Sequence, residues 1–198
     1  ERYEDARFCY ATIIPQYGEE PVVLFRVLRY FMRTDNQEEV LRLKNYFQAD
    51  NSIEVNPQVY AELGGYLIDE GLLDGINDIL FRALDVNEEV PEAHYNLARY
   101  YHNTLEPFEE EKALKNSLDL LTADKFQPLD RRHRAMLIDT YRRFGEYNYE
   151  RKQYITAEEH FTDGIAEYER ALNARIIEPK PEHGKLYEDL GNIYYYVS

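Results

Sequence analysis

The stretch that decides the fold is PEAHYNLARYY, residues 91–101. When it is shifted back so that residue 91 meets residue 57, it aligns with PQVYAELGGYL, residues 57–67. The two stretches share a large side chain, a leucine and a small residue at matching places: Tyr60 and His94, Leu63 and Leu97, Gly64 and Ala98. Self-similarity at a period of roughly twenty to fifty residues is typical of solenoids and related arrays. The sequence therefore predicts a repeat protein.

The composition favours a helical protein with an acidic surface. The chain has 198 residues, enough for one large domain or a run of short repeats, and 44% of them are hydrophobic. Its net charge of −15 repels nucleic acid and anionic membranes, so we expect no nucleic-acid partner. The same charge suits basic partners, although a solvated acidic surface is the simpler interpretation.

Cysteine usage and hydropathy leave the cellular compartment open. Cys9 is the only cysteine, so the chain cannot form an internal disulfide. No apolar run reaches the roughly 18 residues that a membrane-spanning helix needs, and we expect no membrane insertion by this chain. The sequence lacks an initiator methionine and a signal peptide, and we interpret it as a piece of a longer protein. A cytoplasmic and a periplasmic location are both compatible with it.

Apolar residues recur at helical spacing along the chain, and no alternating β pattern with turn residues interrupts them. The clearest predicted helices run from Pro57 to near Gly71, Pro91 to about Asn103, Arg131 to about Lys152, about Ile155 to Ile177, and Lys185 to Val197. Asp130 is a predicted N-cap, because its carboxylate can accept from the free N–H groups of the next turn. Short turns between helices predict antiparallel neighbours. We place repeats at 21–56, 57–90, 91–129 and 130–180 and a truncated repeat at 181–198, within a single domain over 1–198.

The same spacing of large and small residues returns in the later units. The matching sets are Tyr60, Leu63, Gly64 and Leu67; His94, Leu97, Ala98 and Tyr101; Tyr141, Phe144, Gly145 and Asn148; and Tyr187, Leu190, Gly191 and Tyr194. From about residue 21 to residue 198 the chain resembles the tetratricopeptide repeat (TPR) family. The resemblance implies an all-α fold: an α-solenoid of antiparallel helix hairpins, wound as a right-handed superhelix of about 9–10 helices.

The small residues predict where helices approach each other. We expect Gly145 and Ala157 to face each other at the helix crossing of the 130–180 repeat. Ala98, Gly145 and Gly191 are separated by 47 and 46 positions, which is longer than the usual repeat of this family. The sequence therefore predicts extended helices and longer loops, near 122–130 and 178–184.

No set of residues predicts catalysis, a cofactor or a metal. The five histidines show no close metal-ligand spacing, and no phosphate-binding loop or nucleophile motif occurs. The run Arg131–Arg134 is interpreted as a solvated helix start paired with nearby acids, because a nucleic-acid surface would need a wider basic face. The run Glu109–Glu111 is interpreted as the acidic first turn of a helix. We therefore predict that this segment is not an enzyme.

The resemblance also implies a binding groove. In such proteins the first helices of the repeats face a concave groove that holds peptides, and here these positions are Tyr95, Asn96, Arg99, His102, Arg142, Tyr149, Asn192 and Tyr195. Tyrosine and arginine carry much of the binding energy at protein interfaces. The alternative is that these tyrosines cover neighbouring helices.

Taken with the resemblance, these features predict a non-catalytic scaffold that binds a protein or peptide partner through its concave groove. The resemblance favours a role in a larger assembly of the bacterial envelope or motility type. The alternative is a helical regulatory module of an enzyme that lies outside this fragment. We also expect self-association through the open C-terminal helix, whose Leu190, Ile193 and Tyr194 are predicted to expose an apolar face.

Overall fold

The computed structural model describes residues 57–179 and 181–197, together with Tyr30, Phe31, Thr34, Asn36, Glu38, Val40, Leu41, Lys44 and Asn45. Cys9 and most of the predicted repeat 21–56 lie outside the described residues. Seven helices have defined bounds: α1 Pro57–Asp69, α2 Ile76–Val86, α3 Pro91–Thr104, α4 Pro107–Thr122, α5 Arg131–Glu150, α6 Tyr154–Asn173 and α7 Pro181–Val197. A single 3₁₀ turn spans Asp124–Phe126. The described part of the chain holds no strand, so the all-α prediction is confirmed.

The chain divides into two compact units, Glu1–Asn96 and Leu97–Ser198, and the boundary falls inside α3. In the first unit α1 packs against α2, and Leu63, Leu67, Ile76, Ile79 and Leu80 are fully buried. The arrangement as a single domain over 1–198, with its repeat bounds, stays a prediction.

Local sequence signals explain most helix ends. Proline is the first residue of α1, α3, α4 and α7, where its missing N–H would have no intrahelical partner anyway. Asp130 caps α5 as predicted, because its carboxylate accepts a hydrogen bond of 2.8 Å from the backbone N–H of His133. The helices α3, α5 and α6 are each followed by a residue with positive φ, namely Leu105, Lys152 and Arg175. These residues reverse the chain after each helix, although none of them is glycine.

The second unit is built around α5, α6 and α7. Its main core consists of Ile138, Ala157, Phe161, Tyr168, Ala171, Ile177, Leu186 and Ile193. A smaller cluster of Leu121, Leu129 and Leu137 joins α4 to α5. The ring of Phe161, one turn after Ala157 on α6, covers Gly145, and the expected contact of Gly145 with Ala157 itself stays a prediction. Both α5 and α6 have 20 residues, so the extended helices predicted here are confirmed.

Two boundaries differ from the sequence prediction. The helix α6 ends at Asn173 and not at Ile177, because the backbone closes back on itself there: the N–H of Ile176 donates to the carbonyl of Ala171. Ile177 lies in the following loop and still packs in the core, which is why the helical spacing continues in the sequence. The helix α7 begins at Pro181, four residues before the predicted Lys185.

The exposed face predicted for α7 is partly wrong. Ile193 is buried in the main core, which α7 forms together with α5 and α6, and Leu190 packs against the same core. Tyr194 is exposed as expected. Tyr187, the large residue of the last repeat, is 44% exposed, and its ring lies nearly perpendicular to the Tyr168 ring with 6.4 Å between centroids.

Candidate interaction surface

Three ring side chains occupy the same place on three helices of the second unit. His102 on α3, Tyr149 on α5 and Tyr195 on α7 each follow the large residue of their own repeat by eight positions. Eight residues correspond to about 80° around an α-helix, so each ring points about 80° away from the large residue of its own repeat. We call His102, Tyr149 and Tyr195 the ring row.

His102 is held in place by a buried carboxylate. Its Nδ1 lies 3.0 Å from Oε1 of Glu110 on α4, while half of the imidazole side chain is exposed. Burial raises the pKa of Glu110 above its ordinary value, and the neighbouring His102 opposes this effect. Glu109 and Glu110 lie in the first turn of α4, so the predicted acidic first turn is confirmed, and Glu110 is only 8% exposed. The contact orients the imidazole at the surface.

The two tyrosines of the ring row differ in exposure. Tyr149 is half-buried, and its ring meets the ring of Tyr154 edge-on with 5.6 Å between centroids. Tyr195 is 78% exposed. Contact between Tyr149 and the core fits the alternative that some of these tyrosines cover neighbouring helices, whereas Tyr195 presents most of its ring to solvent.

Arg142 is bound by carboxylates of its own helix. Its Nε donates to Asp139 Oδ1 at 2.8 Å and its Nη1 donates to Glu146 Oε1 at 2.6 Å. Arg143 donates to the second oxygen of Asp139, also at 2.8 Å. Because its donors are already engaged, Arg142 positions two carboxylates at this surface instead of offering a bare positive charge.

The remaining predicted groove residues are placed as follows. Asn96 is buried in the first unit, where its Nδ2 donates to the carbonyl of Ala61 at 2.8 Å. A Cβ at Gly65 would lie 2.7 Å from the same nitrogen, so Asn96 serves the contact of α1 with α3 and is not accessible to a partner. Tyr95, Arg99 and Asn192 are half-buried, and Tyr95 belongs to the first unit whereas the other two belong to the second.

The predicted solvated basic cluster contains one buried member. Arg134 of α5 binds Glu167 of α6 through Nη1 and Oε1, and both side chains are nearly inaccessible. Arg170 binds the other oxygen of Glu167 from the protein surface. Arg134 therefore ties two helices together, while Arg131 and Arg132 remain exposed as predicted.

Tyr147 links α5 to α4 through a contact that the sequence does not predict. The hydroxyl of Tyr147 on α5 donates to Glu111 Oε2 on α4 at 2.9 Å, and the guanidinium of Arg151 lies 3.5 Å from the centre of the Tyr147 ring. Burial, together with this hydrogen bond, raises the pKa of Tyr147 to about 12. The only signal for this contact in the sequence is that Tyr147 and Arg151 are four residues apart and therefore share one face of a helix.

Among the described side chains, no three histidine, cysteine, aspartate or glutamate residues cluster in a way that could hold a metal ion. The described helices also include none that is long and apolar enough to cross a membrane.

Comparison with known proteins rests on structure alone. No protein-family model matches the chain, and no curated protein matches its sequence. BtubC (BKLC) from P. vanneervenii is similar with a TM-score of 0.70 and 14% identity, covering 98% of this chain and 82% of that one. MamA is similar with a TM-score of 0.66 and 16% identity, covering 86% of this chain and 91% of that one.

The third similar structure is that of a protein described as a TPR protein. TTC0263, a thermophilic TPR protein in Thermus thermophilus, is similar with a TM-score of 0.56 and 16% identity, covering 94% of this chain and 91% of that one. The expected TPR-like fold is therefore confirmed.

Proposed function

We propose that this protein is a non-catalytic scaffold that binds a partner protein through the ring row of its second unit. The observation that carries the proposal is the recurrence of a ring side chain at one position on α3, α5 and α7. Such recurrence places similar contact groups on successive first helices. It suits an extended segment of a partner, which can contact several repeats in turn.

The proposed mechanism is recognition by a preformed surface. Side chains on rigid helices lose little freedom on binding, so more of the contact energy appears as affinity. Tyrosine is enriched among the residues that dominate interface energies, and Tyr195 offers most of its ring for such a contact. Glu146 lies one turn before Tyr149 on α5 and is paired with Arg142, so the surface beside the row carries both charges and favours a partner segment with polar side chains.

Affinity capture with the intact protein, followed by mass spectrometry, would supply the partner. The purified pair is then titrated by calorimetry with the wild type, Tyr149→Ala, Tyr195→Ala and the double variant. We expect the double variant to weaken binding by about 2 kcal/mol or more, since truncated interface tyrosines often cost this much. Circular dichroism checks that the helices remain, because Tyr149 also contacts the core.

The matched control is Tyr194→Ala, which removes another exposed tyrosine from the same helix as Tyr195. We expect the control to bind as the wild type does. Wild-type affinity in the folded double variant would overturn the proposal, and a loss confined to Tyr194→Ala would move the partner to a different face of α7.

A further inference from the structure

Two successive hairpin turns of the second unit carry an exposed apolar side chain at the same place. Phe108 is the second residue of α4 and Ile155 is the second residue of α6, and the two are 84% and 77% exposed. They are 47 positions apart, which is also the separation of Ala98 and Gly145 on the preceding first helices. Phe108 and Ile155 therefore occupy equivalent positions of the repeat, at the edge where each first helix turns back into its second.

The exposure of this position is not a property of the last hairpin. The helix α4 is followed by α5, α6 and α7, and Phe108 stays exposed in their presence. Ile155 has the same position on α6, so later helices of the array give no reason for it to be covered. An apolar side chain also adds little to the first turn of a helix, because that turn favours acidic residues.

Leu105 adds a third exposed apolar group to the same edge. Its φ is 59°, in the left-handed region that favours glycine, and its side chain is 85% exposed. The corresponding residue of the next turn is Lys152, with a φ of 60°. A leucine that strains the backbone without being buried contributes nothing to folding, so its apolar side chain is better explained by a contact outside the hairpin.

The two turns are held side by side by contacts between α4 and α5. The hydroxyl of Tyr147 donates to Glu111, three residues after Phe108, and the guanidinium of Arg151 lies over the ring of Tyr147. Arg151 immediately follows α5 and belongs to the turn that leads to Ile155. Because packed helices lie about 8–10 Å apart, the exposed side chains of these neighbouring turns form one apolar row.

Charges of opposite sign flank the apolar row. Glu109 follows Phe108 on α4, Lys152 precedes Ile155 in the other turn, and both charged side chains are exposed. Neither of them forms an ion pair with another residue of the described stretch 57–179. The row thus has an acidic end and a basic end. We call Leu105, Phe108, Glu109, Lys152 and Ile155 the turn edge.

We propose that the turn edge is a contact surface between two copies of this chain, related by a twofold axis. A twofold interface needs a surface that is complementary to itself. A second copy turned by 180° brings its Ile155 to Phe108 and its Lys152 to Glu109, so apolar groups meet and opposite charges pair. A different protein would need the same order of acidic, apolar and basic groups, which this chain already supplies.

The turn edge includes no residue of the ring row and none of α7, so this contact is independent of the proposed function. It is also small, and small interfaces form weak or transient dimers. An anionic lipid surface or nucleic acid is a poorer occupant, because the chain has a net charge of −15.

The test is sedimentation equilibrium of the intact chain up to millimolar concentration. Salt of about 0.15 M limits the range of the net charge to about 8 Å and leaves close pairs intact. The variants are Phe108→Ser, Glu109→Lys, Lys152→Glu and the double charge reversal. The matched control is Val86→Ser, which removes an exposed apolar side chain of α2. All five positions are exposed, so circular dichroism should show an unchanged fold.

We expect the wild type and Val86→Ser to form the same weak dimer, and Phe108→Ser to raise its dissociation constant about tenfold or more. Each single charge reversal should weaken the dimer as well, because it places like charges opposite each other. The double reversal should dimerise again, and so should an equimolar mixture of the two single variants, because both restore opposite charges across the axis.

A wild type that stays monomeric at every concentration would overturn the proposal. So would a dimer that Phe108→Ser leaves intact, or single reversals that do not recover when mixed. A dimer that is lost in Tyr194→Ala and kept in Phe108→Ser would place the contact on α7 instead.

Discussion

The ring of Phe161 occupies the space that a side chain on Gly145 would need. A Cβ at residue 145 would lie 2.4 Å from Cε1 and 2.5 Å from Cδ1 of that ring. Real carbon atoms cannot approach so closely without moving a neighbour, and a ring buried on all sides has little room to move. The pair therefore sets how closely α5 and α6 approach each other.

We expect Gly145→Ala to destabilise the protein by about 1–3 kcal/mol, the usual cost of an overpacked core. Alanine in a helix interior is otherwise more favourable than glycine by about 1 kcal/mol. The measured loss of stability is therefore smaller than the free-energy cost of the steric clash. Urea denaturation followed by circular dichroism would measure it. A variant that unfolds at the wild-type midpoint or later would contradict the packing of Phe161 on Gly145.

The matched substitution Gly191→Ala should have the opposite sign. Gly191 lies inside α7 with nothing within 4 Å of a Cβ, so alanine gains helix propensity without strain. We expect stabilisation of about 0.5–1 kcal/mol under the same urea titration. A loss of stability would mean that another part of the protein packs against α7 at Gly191.

The sequence predicted the helices well because their signals are local. Proline at a first turn, a capping aspartate at Asp130 and apolar residues at helical spacing all act within one or two turns. The end of α6 was missed because Ile176 and Ile177 prolong the helical spacing although the backbone has already turned. The glycine at 145 was correctly assigned to a helix crossing, but the cover that Phe161 provides was not predicted, because it depends on the rotation of α6, which spacing alone does not determine.

The candidate surface was less predictable, because burial depends on tertiary packing. Asn96 has the same polar side chain whether it faces a partner or, as here, the carbonyl of Ala61. Glu110 sits in a run of three glutamates, and only its contact with His102 distinguishes it. The ring row can be identified from the sequence, because its three residues occupy the same position in their repeats. The ion pairs that hold Arg142 can be identified only when the positions of the side chains are known.

The buried carboxylate of Glu167 should matter more than the surface charge beside it. We expect Glu167→Ala to lose about 3 kcal/mol or more, because it leaves Arg134 charged and enclosed between α5 and α6. Arg170→Ala should cost less than about 1 kcal/mol, since that side chain is 67% exposed. Thermal and urea unfolding of both variants would compare the two.

The double replacement Arg134→Met with Glu167→Leu is the control for that comparison. It removes both charges and keeps apolar volume, so we expect it to recover most of the stability that Glu167→Ala loses. If the double variant is no more stable than the single one, the loss reflects packing volume and not an uncompensated charge.

The last prediction concerns pH. Burial holds the pKa of Glu110 above its ordinary value of 4.5, so the folded state binds this proton more tightly than the unfolded chain does. The stability contributed by Glu110 is therefore full below pH 4.5 and is lost as the pH rises through the raised pKa. Glu110→Gln keeps an oxygen that can accept from His102 but has no charge to bury. As the pH rises from about 4 to about 8, we expect the free energy of unfolding of Glu110→Gln to increase relative to that of the wild type. Urea titration at each pH measures both. Parallel curves for the two proteins would show that the carboxylate is charged at no cost in the folded state.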